Sequence, residues 1–185
     1  MALSLRKNCG TNQVIAVTLL SFCILCIRNV IVCESDTSTV AYHLRLYNSI
    51  NSLRARHTVA SLKWNRTLTE MAEYFATRIL TVTNSFDIDE SEGINFFIAG
   101  PTKPPASVVA DTWYNESLLY DFNNPGYNAI YLNFTQLIWK TSTSVGFGMH
   151  TVNNHTAVIA KFYPAGNIRG KFRQNVIPKY KKMRR

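Results

Sequence analysis

The chain has 185 residues, 46% of them hydrophobic, and a formal net charge of +9. That content excludes a wholly disordered polypeptide, and the length gives room for one ordinary domain plus an appendage. The charge lies at the ends: Arg6, Lys7 and Arg28 near the front, and Lys179, Lys181, Lys182, Arg184 and Arg185 in the last seven residues, leaving a body near +1.

In chain order, the first segment reads as a leader. Arg6 and Lys7 precede the apolar run Val14–Ile27, which Arg28-Asn29 interrupts. About 14 apolar residues suit the core of a signal peptide better than a membrane span, which needs about 20. Cleavage after Cys33 makes residues 1–33 a signal peptide; left uncut, Val14–Cys33 acts as a signal anchor and gives a lumen-facing type II membrane protein. Either way the remainder faces the lumen or the outside, so the expected localisation is secreted and nucleic acid is not an expected partner. All four cysteines (Cys9, Cys23, Cys26, Cys33) fall in the leader. Cys23-x-x-Cys26 reads as small hydrophobes in an apolar run rather than as a redox or metal pair. The exported part is therefore expected to lack disulfides.

Thr39–His57 is expected to form a helix with Leu46, Ile50 and Leu53 on its inner side. A second helix follows the Leu62–Asn65 loop, because Leu68, Met71, Ala72, Phe75, Ala76, Ile79 and Leu80 keep i, i+3, i+4, i+7 spacing. Asn65 is a candidate N-cap and Thr67-x-x-Glu70 a candidate capping box. Thr81–Ile98, with Asp87, Asp89, Glu90 and Glu92, reads as loop or short strand. Three prolines in Gly100–Pro105 precede a third helix from Ala106, on which Val109, Trp113 and Glu116 share a face. A short helix is expected near Leu132–Lys140. Val145, Phe147, Met149 and Thr151 alternate, as do Val158, Ala160 and Phe162, with Asn153-Asn154 between them, which predicts a β-hairpin. Helices followed by a hairpin indicate an α+β fold.

Several runs carry a more specific pattern: W-Y-N-E (Trp113–Glu116), L-N-F-T-Q-L-I-W-K (Leu132–Lys140) and Y-P-A-G-N (Tyr163–Asn167). N-S-L-R-A-R-H (Asn51–His57), L-K-W-N (Leu62–Asn65), F-A-T-R-I-L (Phe75–Leu80), E-G-I-N-F-F (Glu92–Phe97) and F-R-Q-N-V-I-P (Phe172–Pro178) accompany them in order. Together they resemble the CAP superfamily of cysteine-rich secretory, antigen 5 and pathogenesis-related proteins. In style the cysteine-free domain is similar to the Golgi-associated, pathogenesis-related-like branch. The resemblance implies an α-β-α sandwich with a central, mostly antiparallel sheet over residues 34–178, a closing strand at Phe172–Pro178, and a basic tail at 179–185.

In that family two histidines and two glutamates line a central cleft and in some members hold a divalent metal. Carried over one by one, these positions fall on Val82, Ile94, Glu116 and Asn133, and only Glu116 keeps the family's residue. Zinc takes at least three strong side-chain ligands, so no metal, cofactor or catalytic residue is expected here. Glu116 reads equally as a cleft residue and as a half-exposed helix residue. Gln136 adjoins the cleft in the family; it either contacts a ligand or is a satisfied polar residue. His57 is expected to pack at a helix end, and His150 and His155 flank the hairpin turn without facing each other. Trp113, Tyr114, Phe134 and Trp139 read as core. No G-x-S-x-G elbow offers a nucleophile.

Four N-x-S/T sequons, at Asn65, Asn115, Asn133 and Asn154, are glycan acceptor candidates in an exported chain. The resulting expectation is a secreted, non-enzymatic domain with a degraded cleft that binds a lipid, sterol or protein partner, as members of the family do. One rival is an interaction module tethered to anionic membrane or glycan by Lys179, Lys181, Lys182, Arg184 and Arg185 or by an uncut leader. The other is a protease-like enzyme, which requires a nucleophile or metal that the sequence does not offer.

Overall fold

The computed structural model describes residues 38–81 and 92–180; the leader, Val82, the acidic residues Asp87, Asp89 and Glu90, and the tail from 181 lie outside the described residues. Tyr42–Arg185 forms one compact unit. Its centre is the hairpin that the alternation predicts, β3 (Ser144–Val152) and β4 (His155–Tyr163). The turn residues Asn153 and Asn154 have φ of 48° and 61°. A two-residue hairpin turn requires this left-handed backbone, and asparagine tolerates it. β2 (Ile94–Ala99) lies antiparallel to β4, and β1 (Lys63–Trp64) parallel to β3, giving the order β1-β3-β4-β2.

Strand periodicity turns Val145, Phe147, Val158, Ala160 and Phe162 to one face, and Gly146, Gly148, Ala157 and Ile159 to the other. The first face carries the main core. Leu46, Ile50 and Leu53 of α1 (38–55), Val109 and Trp113 of α3 (Ala106–Asn115), and Phe134 and Leu137 of α4 (Leu132–Leu137) pack there. The second face is covered by α2 (Arg66–Thr81) through Ala72 and Ala76. This is the α-β-α sandwich with a mostly antiparallel sheet.

Asn65 caps α2, its Oδ1 accepting from the Leu68 N–H at 3.1 Å. The Thr67–Glu70 capping box does not form: Thr67 is already inside the helix, and Glu70 pairs with Arg66 at 3.1 Å on the exposed side. The buried stripe is also narrower than the spacing predicts. Leu68, Ala72 and Ala76 are buried, Phe75, Ile79 and Leu80 half-buried, and Met71 40% exposed. The helix backbone rests so close to Gly146 and Gly148 that small residues face the strand and larger ones flank it. Phe172–Pro178 is not a strand. Phe172–Asn175 is one helical turn (α5) closed by the Val176 N–H to Phe172 carbonyl bond, and it buries Phe172 edge-on to Trp139 with ring centres 5.2 Å apart.

His43 on α1 is 2% exposed, lies among Tyr42, Trp64 and Phe147, and its Nε2 has no hydrogen-bond partner. Burial, helped by the nearby charge of Lys103, lowers its pKa to about 4. The fold therefore holds the neutral ring, while the unfolded chain takes up a proton below about 6.5. Stability should be full above about 6.5, fall by roughly 3 kcal/mol from this residue as the pH drops to about 4, and lose nothing further from it below. Buried His57, also lowered, adds a loss of the same sign. Urea melts at neutral and acid pH should show a shallower acid loss for His43→Phe than for the parent; identical losses would contradict the assignment.

Candidate functional site

α3 ends at Asn115 and runs on into a 3-10 turn, Glu116–Leu118. This aims Glu116 at the start of α4. The residue before α4, Tyr131, makes no side-chain capping bond, so the first-turn amides need partners from elsewhere. Glu116 supplies them. Its Oε2 accepts from the Phe134 N–H at 3.0 Å, and its Oε1 from Asn133 Nδ2 at 2.7 Å. A carboxylate is well placed at a helix N-terminus, where the exposed amides carry partial positive charge. Burial pushes the Glu116 pKa up, against the lowering effect of the Asn133 side chain and the Phe134 and Asn133 amides.

Asn95, fully buried on β2, completes the group by donating from Nδ2 to the Asn133 carbonyl at 2.8 Å. Its own Oδ1 has no protein partner. Trp113 Nε1 donates to the Phe96 carbonyl at 2.9 Å and ties α3 to the same strand. Glu116, Asn133 and Asn95 thus form one hydrogen-bonded set joining α3, α4 and β2.

Ile94 is not part of that set. It pairs with Lys161 across the β2–β4 ladder, on the sheet face opposite Asn95, and packs against the cluster of Ala72, Ala76, Ala157 and Ile159 under α2. Val82 lies outside the described residues. Gln136 is fully buried, with Nε2 donating to Ser142 Oγ at 3.2 Å and Oε1 accepting from the Gly166 N–H at 2.7 Å. Both ends of its amide are thus engaged within the protein. The Tyr163–Asn167 loop also braces α4: Asn167 accepts from Thr135 Oγ1 at 2.6 Å and donates to the Leu132 carbonyl at 3.0 Å.

His57 is buried between the Ile177 carbonyl, 2.5 Å from Nδ1, and the Tyr114 hydroxyl, 2.9 Å from Nε2. It locks the chain after α1 to the C-terminal segment. His155 pairs with Val152 at the hairpin end and His150 with Ala157, so the two histidines do not face each other. Among the described residues, no group of three or more His, Cys, Asp or Glu side chains could hold a metal ion. The sequon asparagines differ in setting. Asn65, Asn115 and Asn154 are exposed, and Asn133 is half-buried with its Nδ2 held by Glu116. Asn65 caps α2 through Oδ1, which leaves free the Nδ2 to which a glycan attaches.

Residues 47–163 match the sequence model of the CAP family, described as the cysteine-rich secretory protein family. The chain is 32% identical over 136 residues to Protein PRY2 of Saccharomyces cerevisiae, covering 72% of this chain and 40% of the yeast protein. It is 29% identical over 144 residues to human Golgi-associated plant pathogenesis-related protein 1, covering 74% and 93% of the two chains. Secreted protein RBT4 of Candida albicans is 30% identical over 143 residues, with 74% of this chain and 38% of that protein covered. The chain therefore spans less than half the length of these two fungal relatives. In fold it is similar to hookworm platelet inhibitor, with a TM-score of 0.61 at 17% identity over 74% of this chain and 75% of the other.

Proposed function

We propose that this chain, which belongs to the CAP family of cysteine-rich secretory proteins, is an exported, non-enzymatic binding domain whose polar cleft now serves as structural support. One observation carries the reading: both oxygens of Glu116, the one family-type cleft residue it keeps, are engaged by Asn133 and by the first turn of α4. The donor set does not fit zinc. A single carboxylate so engaged, one amide and two aliphatic side chains fall short of the three strong ligands that zinc takes. Nor do the cleft residues include a free base placed beside a nucleophile.

Binding then belongs elsewhere on the surface. α2 borders an open, mostly apolar pocket of about 390 Å³ between Thr67, Glu70, Met71, Tyr74, Phe75 and Glu92. Such a pocket suits a lipid chain or an apolar side chain of a protein partner. The apolar leader, the exposed sequons and the secreted relative support export. Mass spectrometry of protein recovered from the medium of producing eukaryotic cells should find an N-terminus at Glu34 and glycans on exposed sequons, Asn154 above all, with Asn133 bare. A product confined to the cytosol and free of glycan would contradict export; a glycan on Asn133 would contradict its structural role.

A further inference from the structure

Asp121 is the last acidic side chain in the sequence: residues 122–185 contain ten Lys and Arg and no Asp or Glu. The positive charge is therefore not confined to the tail. Among the described bases of this stretch, Lys161 is buried and paired with Glu92. The others, Lys140, Arg169, Lys171, Arg173 and Lys179, are exposed. They follow the segment 168–180 and what it touches. Arg169 stacks on Tyr127 with its guanidinium carbon 3.8 Å from the ring centre, and Arg173 donates to the Asn123 carbonyl at 3.3 Å. Asn175 accepts from the Lys140 amide and donates to the Lys171 carbonyl, which brings those two bases to α5. Lys179 and exposed Arg56 both lie over the Tyr114 ring, at 5.0 and 5.8 Å, and the Tyr180 amide bonds to the Arg56 carbonyl.

Among the described residues none of these six bases makes an ion pair; the pairs there are Arg66–Glu70 and Lys161–Glu92. Asp121 stands at the edge of the ribbon, beside Tyr120 together with Arg173. Most charge runs are solvated faces. This one differs because rings and a carbonyl hold the side chains of Arg169, Arg173, Lys179 and Arg56, and backbone bonds fix where Lys140 and Lys171 emerge, which reduces the ordering cost of binding. Among the described residues its like charges form no ion pair, a condition that a polyanion relieves by releasing bound salt ions.

We propose that this ribbon, running from Arg169 through α5 to Lys179 and Arg56, binds a linear sulfated polysaccharide of the heparin type. Bases that recur from Arg169 to Lys179 on either side of α5 suit a polymer with repeated negative charge, and arginine forks bind tetrahedral oxyanions well. A glycan is favoured over a bilayer because anionic lipid concentrates in the cytoplasmic leaflet. That preference rests on the exported reading, but heparin binding by purified protein does not depend on it, so the two can fail separately.

The test compares the full exported chain, a truncation after Tyr180, the triple variant Lys140→Glu/Lys171→Glu/Lys179→Glu, and both changes combined, with circular dichroism confirming the fold. Heparin binding is titrated against salt. The truncation should still bind, and the triple variant should lower the slope of log affinity against log salt by about three. The combination should leave no binding at physiological salt. A triple variant that binds as the parent does, with binding lost on truncation alone, would assign all affinity to the tail and overturn the proposal. Stronger capture by phosphatidylcholine vesicles containing about a third phosphatidylserine than by heparin would overturn it in favour of a membrane.

Discussion

Gly148→Ala should destabilise the domain by about 3 kcal/mol or more, at the upper end of what overpacking costs. A Cβ at this position would sit 2.2 Å from both the carbonyl carbon and oxygen of Ala72 and 2.3 Å from the Glu73 nitrogen. Those are backbone atoms of α2, so no side chain can swing aside. Gly146 meets the same helix one turn earlier, with Thr69 nitrogen at 2.1 Å and Leu68 carbon at 2.2 Å. The two glycines let α2 lie directly on β3 and seal the second face of the sheet. A methyl group at either must lift the helix and uncover Ala157 and Ile159. Urea melts of the two single variants check this, and a loss under about 1 kcal/mol at Gly148 would mean that the helix can slide at little cost.

Arg54→Met should cost about 3–5 kcal/mol, the range expected when a buried, fully bonded charged group is removed from its partners. Arg54 is fully buried and its guanidinium serves four carbonyls: Ala60 at 2.9 Å, and Leu137, Trp139 and Ser142 at 3.0 Å each. Burial lowers its pKa to about 10, which still leaves it charged at neutral pH. No carboxylate is among these partners; the carbonyls at the end of α4 and in the turn after it neutralise the charge instead. Methionine fills most of the volume but strands all four acceptors. Arg54→Lys should recover only part of the loss, because one ammonium cannot span carbonyls arranged around a planar fork. Equal stability of Arg54→Met and the parent would show that water replaces the bonds.

The elements with regular periodicity were legible from sequence. The hairpin register follows from the alternation around Asn153-Asn154, and the start of α2 from Asn65 before its apolar spacing. The capping box at Thr67 and Glu70 failed because Asn65 is the true cap, which leaves Thr67 two residues too far along, already inside the helix. Met71 and Phe75 kept helical spacing, yet the width of the buried stripe is set by the two strand glycines, which the helix sequence does not contain. Phe172–Pro178 begins as a helical turn, its Val176 amide bonded to the Phe172 carbonyl and its Asn175 carbonyl taking the Lys140 amide rather than a ladder partner.

The site was half legible. Glu116 and Asn133 were found through the motifs that contain them, and the structure joins them directly. Asn95 and the Phe134 amide were missed because their part depends on how β2 and α4 meet. One signal was present: Asn95 is the sole polar residue in I-N-F-F-I-A, and a lone amide within an apolar strand calls for a specific partner. The roles of Ser142 and Gly166 around Gln136 had no signal in sequence.

The proposed role of Glu116 and Asn133 is to support the fold rather than to hold a metal. Calorimetric titration of the purified exported domain with zinc tests it most directly, on the parent and on Glu116→Ala. Neither protein should bind zinc saturably, and Glu116→Ala should melt at a lower temperature because the Phe134 amide and the Asn133 side chain lose their acceptor. One-to-one zinc binding at micromolar affinity in the parent, abolished in Glu116→Ala, would contradict it.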